Sequence, residues 1–485
     1  MGAPARAEAV RLALYSAAWM GVVFVLFNSC ASHRDAMTVW SEYKRGALSL
    51  SSENVLRAVR AGGTDDGDVA RYLAYANALL GRPYQDYFIR GVVGWQQDDR
   101  ARLAGPDPRD PHITPPVVPA APLVPWRDFS VEYPPGFFLF TLPIALATED
   151  LDAYCVLFSL QMALLLTGAR AACVALARRW GSPSPSSLVA FSVLAALALG
   201  TLVVRRYDAT VSFAVAAAAW ACVAGRPVLA GVALGLGIAS KGLPLVLAPV
   251  VFAFFAGQRD GRALGRVALG TAGMVAAVIV PALAFAGPAL YDALAYHAER
   301  PLQIESTWAA FALLAGAAVP GSVSVVDTFG SLNVLTSVDG LFNALALATP
   351  LALSLAVYAR TWRAFTGGLG APVRGIVLVR ALTLLLIVWM AAGKVFSPQF
   401  VTWLVPVGFL AAATLGRGSA LLLLSALVAT QVVYPGGYRL GLALAGEPLF
   451  GALVLGRTAL LLAFAFALWR SLSLTRLQRD LARSA

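Results

Sequence analysis

Lysine is nearly missing from this chain: only Lys44, Lys241 and Lys394 occur, although Lys and Arg together number 37. Charge of either sign is scarce as well. It makes up 13% of 485 residues, about half the roughly 25% usual in soluble domains, which excludes an ordinary water-facing surface. The four cysteines exclude a disulfide framework and a cysteine metal site: Cys30 follows the first apolar run, and Cys155, Cys173 and Cys222 fall inside others with no pairing or ligand spacing.

What is abundant is apolar sequence. Hydrophobic residues make up 59% of the chain, in runs that repeatedly reach the about 17 to 25 residues needed to cross a bilayer. The fold class expected is an all-α polytopic membrane protein. Crossings are expected at 12–29, 151–176, 187–203, 209–224, 227–240, 242–257, 264–285, 339–358, 375–391, 398–416, 418–434 and 451–469. The organisation is then a first transmembrane helix (1–29), an outer loop carrying short interfacial helices (30–150), a transmembrane bundle (151–470) and a basic cytoplasmic tail (471–485). Phe27-Asn28-Ser29-Cys30 faintly resembles a lipoprotein cleavage site, but an uncleaved first helix keeps the crossing number even.

The net charge of +11 raises the question of nucleic acid, and its distribution answers it. With Arg6 and Arg11 inside, the cytosolic loops collect Arg178, Arg179, Arg226, Arg259, Arg262, Arg266, Arg360, Arg363, Arg374 and Arg417, and the tail adds Arg470, Arg476, Arg479 and Arg483, as the positive-inside rule requires. Residues 30–133 carry 13 acids and 12 bases, so the excess belongs to the cytosolic side and no nucleic-acid partner is expected.

In that first loop, Val69, Tyr72, Leu73, Ala76, Leu79 and Leu80 fall at helical spacing, which predicts a short amphipathic helix over 69–80 lying on the membrane surface. Asp68 begins it. The residues alone leave two readings open: an N-cap, or a carboxylate held at the boundary that takes a proton from a hydroxyl substrate. Pro83-Tyr84-Gln85-Asp86-Tyr87 is echoed by Pro125-Trp126-Arg127-Asp128-Phe129, with an Asp-, Pro- and Gly-rich insertion between them. Glu132-Tyr133-Pro134-Pro135-Gly136 then opens a helix, its prolines suited to the first turn. That helix is expected to enter the outer leaflet without crossing.

Topology places the other polar islands on one face. These are Arg205-Arg206-Tyr207-Asp208, Lys241, the segment Tyr296 to Ser306 with His297, Arg300, Gln303 and Glu305, and Lys394 to Gln399; Arg457 lies one to two turns below. Cations at a membrane boundary above apolar helix faces suit an anionic head group whose tail stays in lipid. The competing reading is local ion pairing, Asp208 with Arg205 or Arg206 and Glu299 with Arg300. Lys241 and Lys394 have no acid nearby in sequence to pair with. Arg380 and Arg457 are the arginines expected inside apolar runs, each nearer an end than the middle. A transporter or flippase would instead carry charge at mid-membrane, and a non-catalytic lipid-binding subunit would not need Asp68.

Asp68 before its helix, Glu132-Tyr133-Pro134-Pro135, Arg206-Tyr207-Asp208, Gly235 to Pro244 with Lys241, Arg300 to Ser306 and Lys394 to Gln399 together resemble the polyprenyl-phosphate-dependent glycosyltransferases of the GT-C superfamily. Within it they are most similar to the alpha-mannosyltransferases of glycosyltransferase family 87. The resemblance spans most of 65–470. It implies a GT-C-like bundle of about twelve helices in the inner (plasma) membrane, with both termini cytoplasmic and the active site extracytoplasmic. It also implies transfer of a hexose, typically mannose, from a polyprenyl-phosphate sugar to a lipid or glycan acceptor, without cofactor or metal.

Asp68 matches the family's base, and Asp65 and Asp66 lie close enough to compete. Lys241, Lys394, Arg300 and Arg206 are then the candidates for the donor phosphate. Asp66, Asp128, Glu132, Tyr133, Asp208, His297, Gln303, Glu305, Gln399 and Arg457 are candidates for substrate contact, and Trp308 is a further aromatic candidate. The departure from the family is the insertion of about forty residues between Tyr87 and Trp126, which leaves either Asp128 or Asp86 as counterpart of the aspartate before Tyr-Pro-Pro.

Overall fold

Helix occupies each of the expected crossings in the computed structural model, which describes residues 3–28, 67–85, 116–181, 184–319, 321–438 and 440–473. Asp65, Asp66, Asp86 and most of the insertion lie outside the described residues. The helices are α1 (Ala3–Asn28), α2 (Gly67–Leu80), α3 (Phe138–Ala147), α4 (Leu151–Trp180), α5 (Pro185–Leu199), α6 (Ala209–Val223), α7 (Pro227–Lys241), α8 (Ala248–Ala256), α9 (Gly261–Ala286), α10 (Asp292–Glu299), α11 (Thr307–Gly316), α12 (Asp339–Thr366), α13 (Ala371–Ala392), α14 (Val407–Ala413), α15 (Arg417–Gln431), α16 (Leu442–Ala445) and α17 (Pro448–Ser471).

Among the described residues, seven helical stretches are long and apolar enough to cross a membrane: those of α4, α5, α9, α12, α13, α15 and α17. The protein is a helical, multi-pass membrane protein. Of the most apolar stretch in each, 83% is buried in α13 but only 17% in α9 and 22% in α12. The centre of the bundle is therefore α13, while Leu269 and Phe285 of α9 and Leu347 and Leu355 of α12 stand exposed. An apolar face of that extent needs lipid to cover it.

Several crossings are broken rather than continuous. After Lys241 the chain turns through Gly242 into a 3-10 segment (Leu243–Leu247) before α8 begins, because Pro244 lacks the amide that would continue the helix. Pro398 opens a second 3-10 segment, Pro398–Leu404, ahead of α14. Each break brings polar residues to a helix end.

Two features depart from the sequence expectations. The helix α2 is wrapped by protein rather than laid flat with one apolar face: besides Val69, Tyr72 and Leu73, its other sides at Ala70, Ala74 and Ala78 are 0–5% exposed. Its small residues let α3 and α4 approach closely. The second feature is a three-stranded antiparallel sheet of β1 (Leu302–Gln303), β2 (Val323–Thr328) and β3 (Ser331–Thr336), in the order β1-β3-β2. Phe329 and Gly330, with φ of 53° and 66°, close the β2–β3 hairpin, as a two-residue turn with both residues left-handed does.

Arginines inside the bundle are tied down. Arg380 donates to the hydroxyl and carbonyl of Thr414 at 2.9 and 2.8 Å. A third arginine, Arg170, also lies within an apolar run, against expectation; it belongs to α4 and its guanidinium sits 4.9 Å over the Trp19 ring of α1. Cys155, Cys173 and Cys222 are buried thiols outside any disulfide.

Candidate active site

Helical periodicity sets Asp68, Arg71, Tyr72 and Tyr75 along one side of α2. Asp68 is the second residue of the helix, so the cap position precedes it, and its Oδ2 lies 3.0 Å from Nε of Arg206. One turn on, Arg71 Nη1 donates to Glu132 at 2.8 Å and the Tyr75 hydroxyl donates to the other oxygen of Glu132 at 2.6 Å. The ring of His297 meets the Glu132 carbonyl at 3.1 Å, which draws α10 to the same place.

The segment after Glu132 is fixed by close approach. A side chain at Gly136 would meet the carbonyl oxygen of Ala239 at 2.5 Å, so only glycine lets Tyr133-Pro134-Pro135 lie directly against the end of α7. Tyr133 stacks on Phe137 with centroids 4.7 Å apart and meets Tyr207 edge-on at 5.1 Å; Tyr72 packs edge-on against both tyrosines at 5.8 and 5.9 Å. These rings form the apolar floor beneath the charges.

Lys241 ends α7, where the helix dipole favours a cation. Its ammonium stands 4.3 Å over the Tyr207 ring and 5.4 Å from that of Phe400, and it pairs with Asp208 at 3.0 Å. Asp208 also accepts the Trp403 indole N–H at 2.6 Å. The acid that sequence proximity could not supply to Lys241 comes from the start of α6.

Lys394 donates to the carbonyls of Ala298 and Arg300 at 2.8 and 2.9 Å. Burial first, and then the Arg300 charge, press its ammonium below the usual lysine range. Arg300 donates to the Ser331 hydroxyl at 2.6 Å. Among the described residues, neither of these two cations hydrogen-bonds a carboxylate. The hairpin tip completes this wall: a Cβ on Gly330 would lie 3.1 Å from the Arg71 guanidinium, and Tyr296 donates to the carbonyl of Phe329 at 2.6 Å.

Two opposed influences act on Asp68. Burial is the largest and disfavours its charge, but Arg206, then Arg71, Lys241 and Arg300, outweigh it and hold the carboxyl below the usual range. Asp68 is therefore an ionised group with 24% of its side chain exposed, ringed by cations on four separate chain segments. Such a carboxylate can accept a proton, and the cations can hold an anion.

The remaining candidates fall elsewhere. Gln303, Glu305 and Arg457 form a deeper polar group: the Tyr438 hydroxyl donates to Glu305 at 2.5 Å, Arg457 donates to the Glu305 carbonyl at 2.6 Å and lies 3.7 Å over Phe396. Burial raises the Glu305 carboxyl above its ordinary range. Gln303 is tied by its backbone N–H to the carbonyl of Lys394 at 3.0 Å. Asp128 accepts from the Val124 amide at 2.7 Å and pairs with Arg127 at 2.9 Å, contacts that hold its own turn. Gln399 accepts from Ser397 at 2.6 Å, and Trp308 donates to the carbonyl of Ala392 at 2.7 Å. No three His, Cys, Asp or Glu side chains gather as for a metal ion among the described residues.

Sequence reasoning passed over Arg71, Tyr75, Trp403 and the hairpin. The periodicity that placed Asp68 and Tyr72 also places Arg71 and Tyr75 on their side, and that signal could have found them. Residues 131–388 match the family model described as Glycosyltransferase family 87. The match takes in Glu132, Arg206, Asp208, Lys241 and Arg300, begins after Asp68 and ends before Lys394. No curated protein and no solved structure matches the chain.

Proposed function

The chain belongs to glycosyltransferase family 87 and is a membrane glycosyltransferase, and on that premise we propose that it transfers a hexose, mannose foremost, from a polyprenyl-phosphate sugar to an acceptor hydroxyl. The reaction takes place on the extracytoplasmic side of the plasma membrane, with a lipid or glycan as acceptor and without a metal. The observation that carries this reading is Asp68, 3.0 Å from Arg206 and within reach of the Arg300 charge, with Lys394 bound to the Arg300 carbonyl at 2.9 Å.

Asp68 is the base. Its carboxylate takes the proton of the acceptor hydroxyl as that oxygen forms a bond to the anomeric carbon; the bond from that carbon to the phosphate oxygen breaks from the opposite side, inverting the centre. The lipid phosphate leaves with the electron pair, and Asp68 returns its proton to water. Arg300 and Lys394 are the primary phosphate contacts, since Lys241 is committed to Asp208 and Arg71 to Glu132. Lys241 then acts at longer range, and Arg206 is a further cation for the phosphate. Tyr133, from the aromatic floor, and His297 flank the sugar. The deeper Gln303, Glu305 and Arg457 support the wall that carries Lys394.

The test is donor consumption by the purified protein in lipid nanodiscs, given a panel of polyprenyl-phosphate sugars with a lipid extract as acceptor source. Asp68→Asn should lose about 100- to 10,000-fold in turnover, the usual worth of a general base, while still binding donor. Full turnover by that variant removes Asp68 from the role.

A further inference from the structure

Asp68 and Arg206 form an unequal pair. The arginine is the sealed member, 7% exposed, and the carboxylate is the open one, 24% exposed. Nη1 of Arg206 is turned to the carbonyl of Arg205 at 3.2 Å, which anchors the guanidinium from behind. The short aspartate side chain can rotate away while the arginine stays, and two other sources of positive potential await it: Arg71, three residues along the same helix face, and the first-turn amides of α2.

A carboxylate held by a guanidinium is a poor proton acceptor, because the pair favours its charged form. A phosphate competes well for the same group, offering several oxygens to a planar fork of five donors. The neighbouring cations are engaged in different ways: Lys241 with Asp208, Arg71 with Glu132, and Lys394 with two carbonyls.

We propose that Arg206 changes partners during turnover: it restrains Asp68 until the donor's phosphate competes for the guanidinium, and the carboxylate so released turns to the acceptor hydroxyl. This rests on the reading of Asp68 as the base. It makes the phosphate that is to leave the trigger that frees the base, so that donor precedes acceptor and water is not activated beforehand. Arg206 is in this sense a positioning residue for Asp68 and a contact of the phosphate. The other charged and titratable groups acting on Asp68, or acted on by it, are Arg71 and Tyr72 of α2, Tyr133, Tyr207, Lys241, Tyr296 and Arg300, with Asp208 and Glu132 close behind.

The experiment is infrared difference spectroscopy of the full chain in lipid nanodiscs, with undecaprenyl phosphate as the probe. The protonated-carboxyl band that Asp68→Asn removes is followed through a pH titration with and without the probe. In the wild type the probe should raise the midpoint of that band by about one pH unit or more, a tenfold gain in proton affinity. In Arg206→Gln the midpoint should already be high, and the probe should move it much less. Arg206→Lys, which keeps the charge without the fork, should fall between and carries the comparison if the Gln variant does not fold. Equal probe-induced rises in the wild type and the Arg206 variants would mean that the phosphate acts only as a neighbouring charge, and would overturn the exchange. No rise in the wild type would overturn it too. Failure of the base reading shows separately, as full turnover by Asp68→Asn.

Discussion

The ammonium of Lys241 lies 3.0 Å from both oxygens of Asp208, and with Trp403 bound to the same carboxylate it locks the end of α7 to the start of α6. The pair is nearly sealed, with side chains 12% and 1% exposed. Removing one member of such a pair strands the other. Lys241→Met and Asp208→Asn should each cost about 3–5 kcal/mol of stability, and the double variant less than the sum. Thermal unfolding of the single and double variants in the same detergent checks this; additive losses would mean that the two side chains act independently.

The carboxyl of Asp68 is held low by charges that outweigh its burial, so its ionised form persists to acid pH. The acid limb of kcat/KM should lie below about 4, the ordinary aspartate value. The stability from its pairing is likewise present above that ordinary value and lost only as pH falls through the lower folded one. In Arg71→Gln one of the opposing charges is gone, burial prevails further, and the limb should move up. A pH–rate profile in which the limb of that variant stays or falls contradicts this account of the carboxyl.

Arg300 and Lys394 bring positive charge to the candidate site without a carboxylate hydrogen-bonded to either among the described residues. If they grip the donor phosphate, Arg300→Gln and Lys394→Gln should each raise the donor KM by about tenfold, the low end of what a charged hydrogen bond contributes, with a smaller change in kcat. Initial rates across donor concentrations separate the two effects. An unchanged KM in both variants would move the phosphate elsewhere.

The tip of the β2–β3 hairpin constrains Arg71. Gly330→Ala should impose both a left-handed strain of about 1 kcal/mol and a contact at 3.1 Å with the guanidinium. Turnover should fall severalfold with little change in melting temperature. Arg71→Gln should mask that loss, since it removes the displaced group; persistence of the loss in the double variant would trace it to the hairpin itself.

The apolar helices were legible because lipid demands long apolar runs. Asp68 stood out at the start of a helix and Glu132 before Tyr-Pro-Pro, while Arg206, Lys241, Arg300 and Lys394 stood out as polar residues between apolar runs. Their partners did not. Lys241 appeared unpaired because its acid stands 33 positions away, a distance that only the helix α6–α7 packing closes. The burial of α2 on several sides escaped notice because Ala70, Ala74 and Ala78 read as indifferent surface, when their small size is what admits α3 and α4. The sheet was hidden by the charge cluster ahead of it, although the β-branched run Val323 to Thr328 followed by Phe329-Gly330 marks a strand and its turn.

Tyr84 and Val117 exchange backbone hydrogen bonds at 3.0 and 2.8 Å, so the chain leaves for the insertion and returns from it through one clasp. Closing a longer excursion costs little, about 0.6 kcal/mol for each doubling of length, and α2 on the near side is held by its own packing. The excursion is thus a replaceable fitting: it can be shortened, lengthened or exchanged while the carboxylate of Asp68 keeps its place.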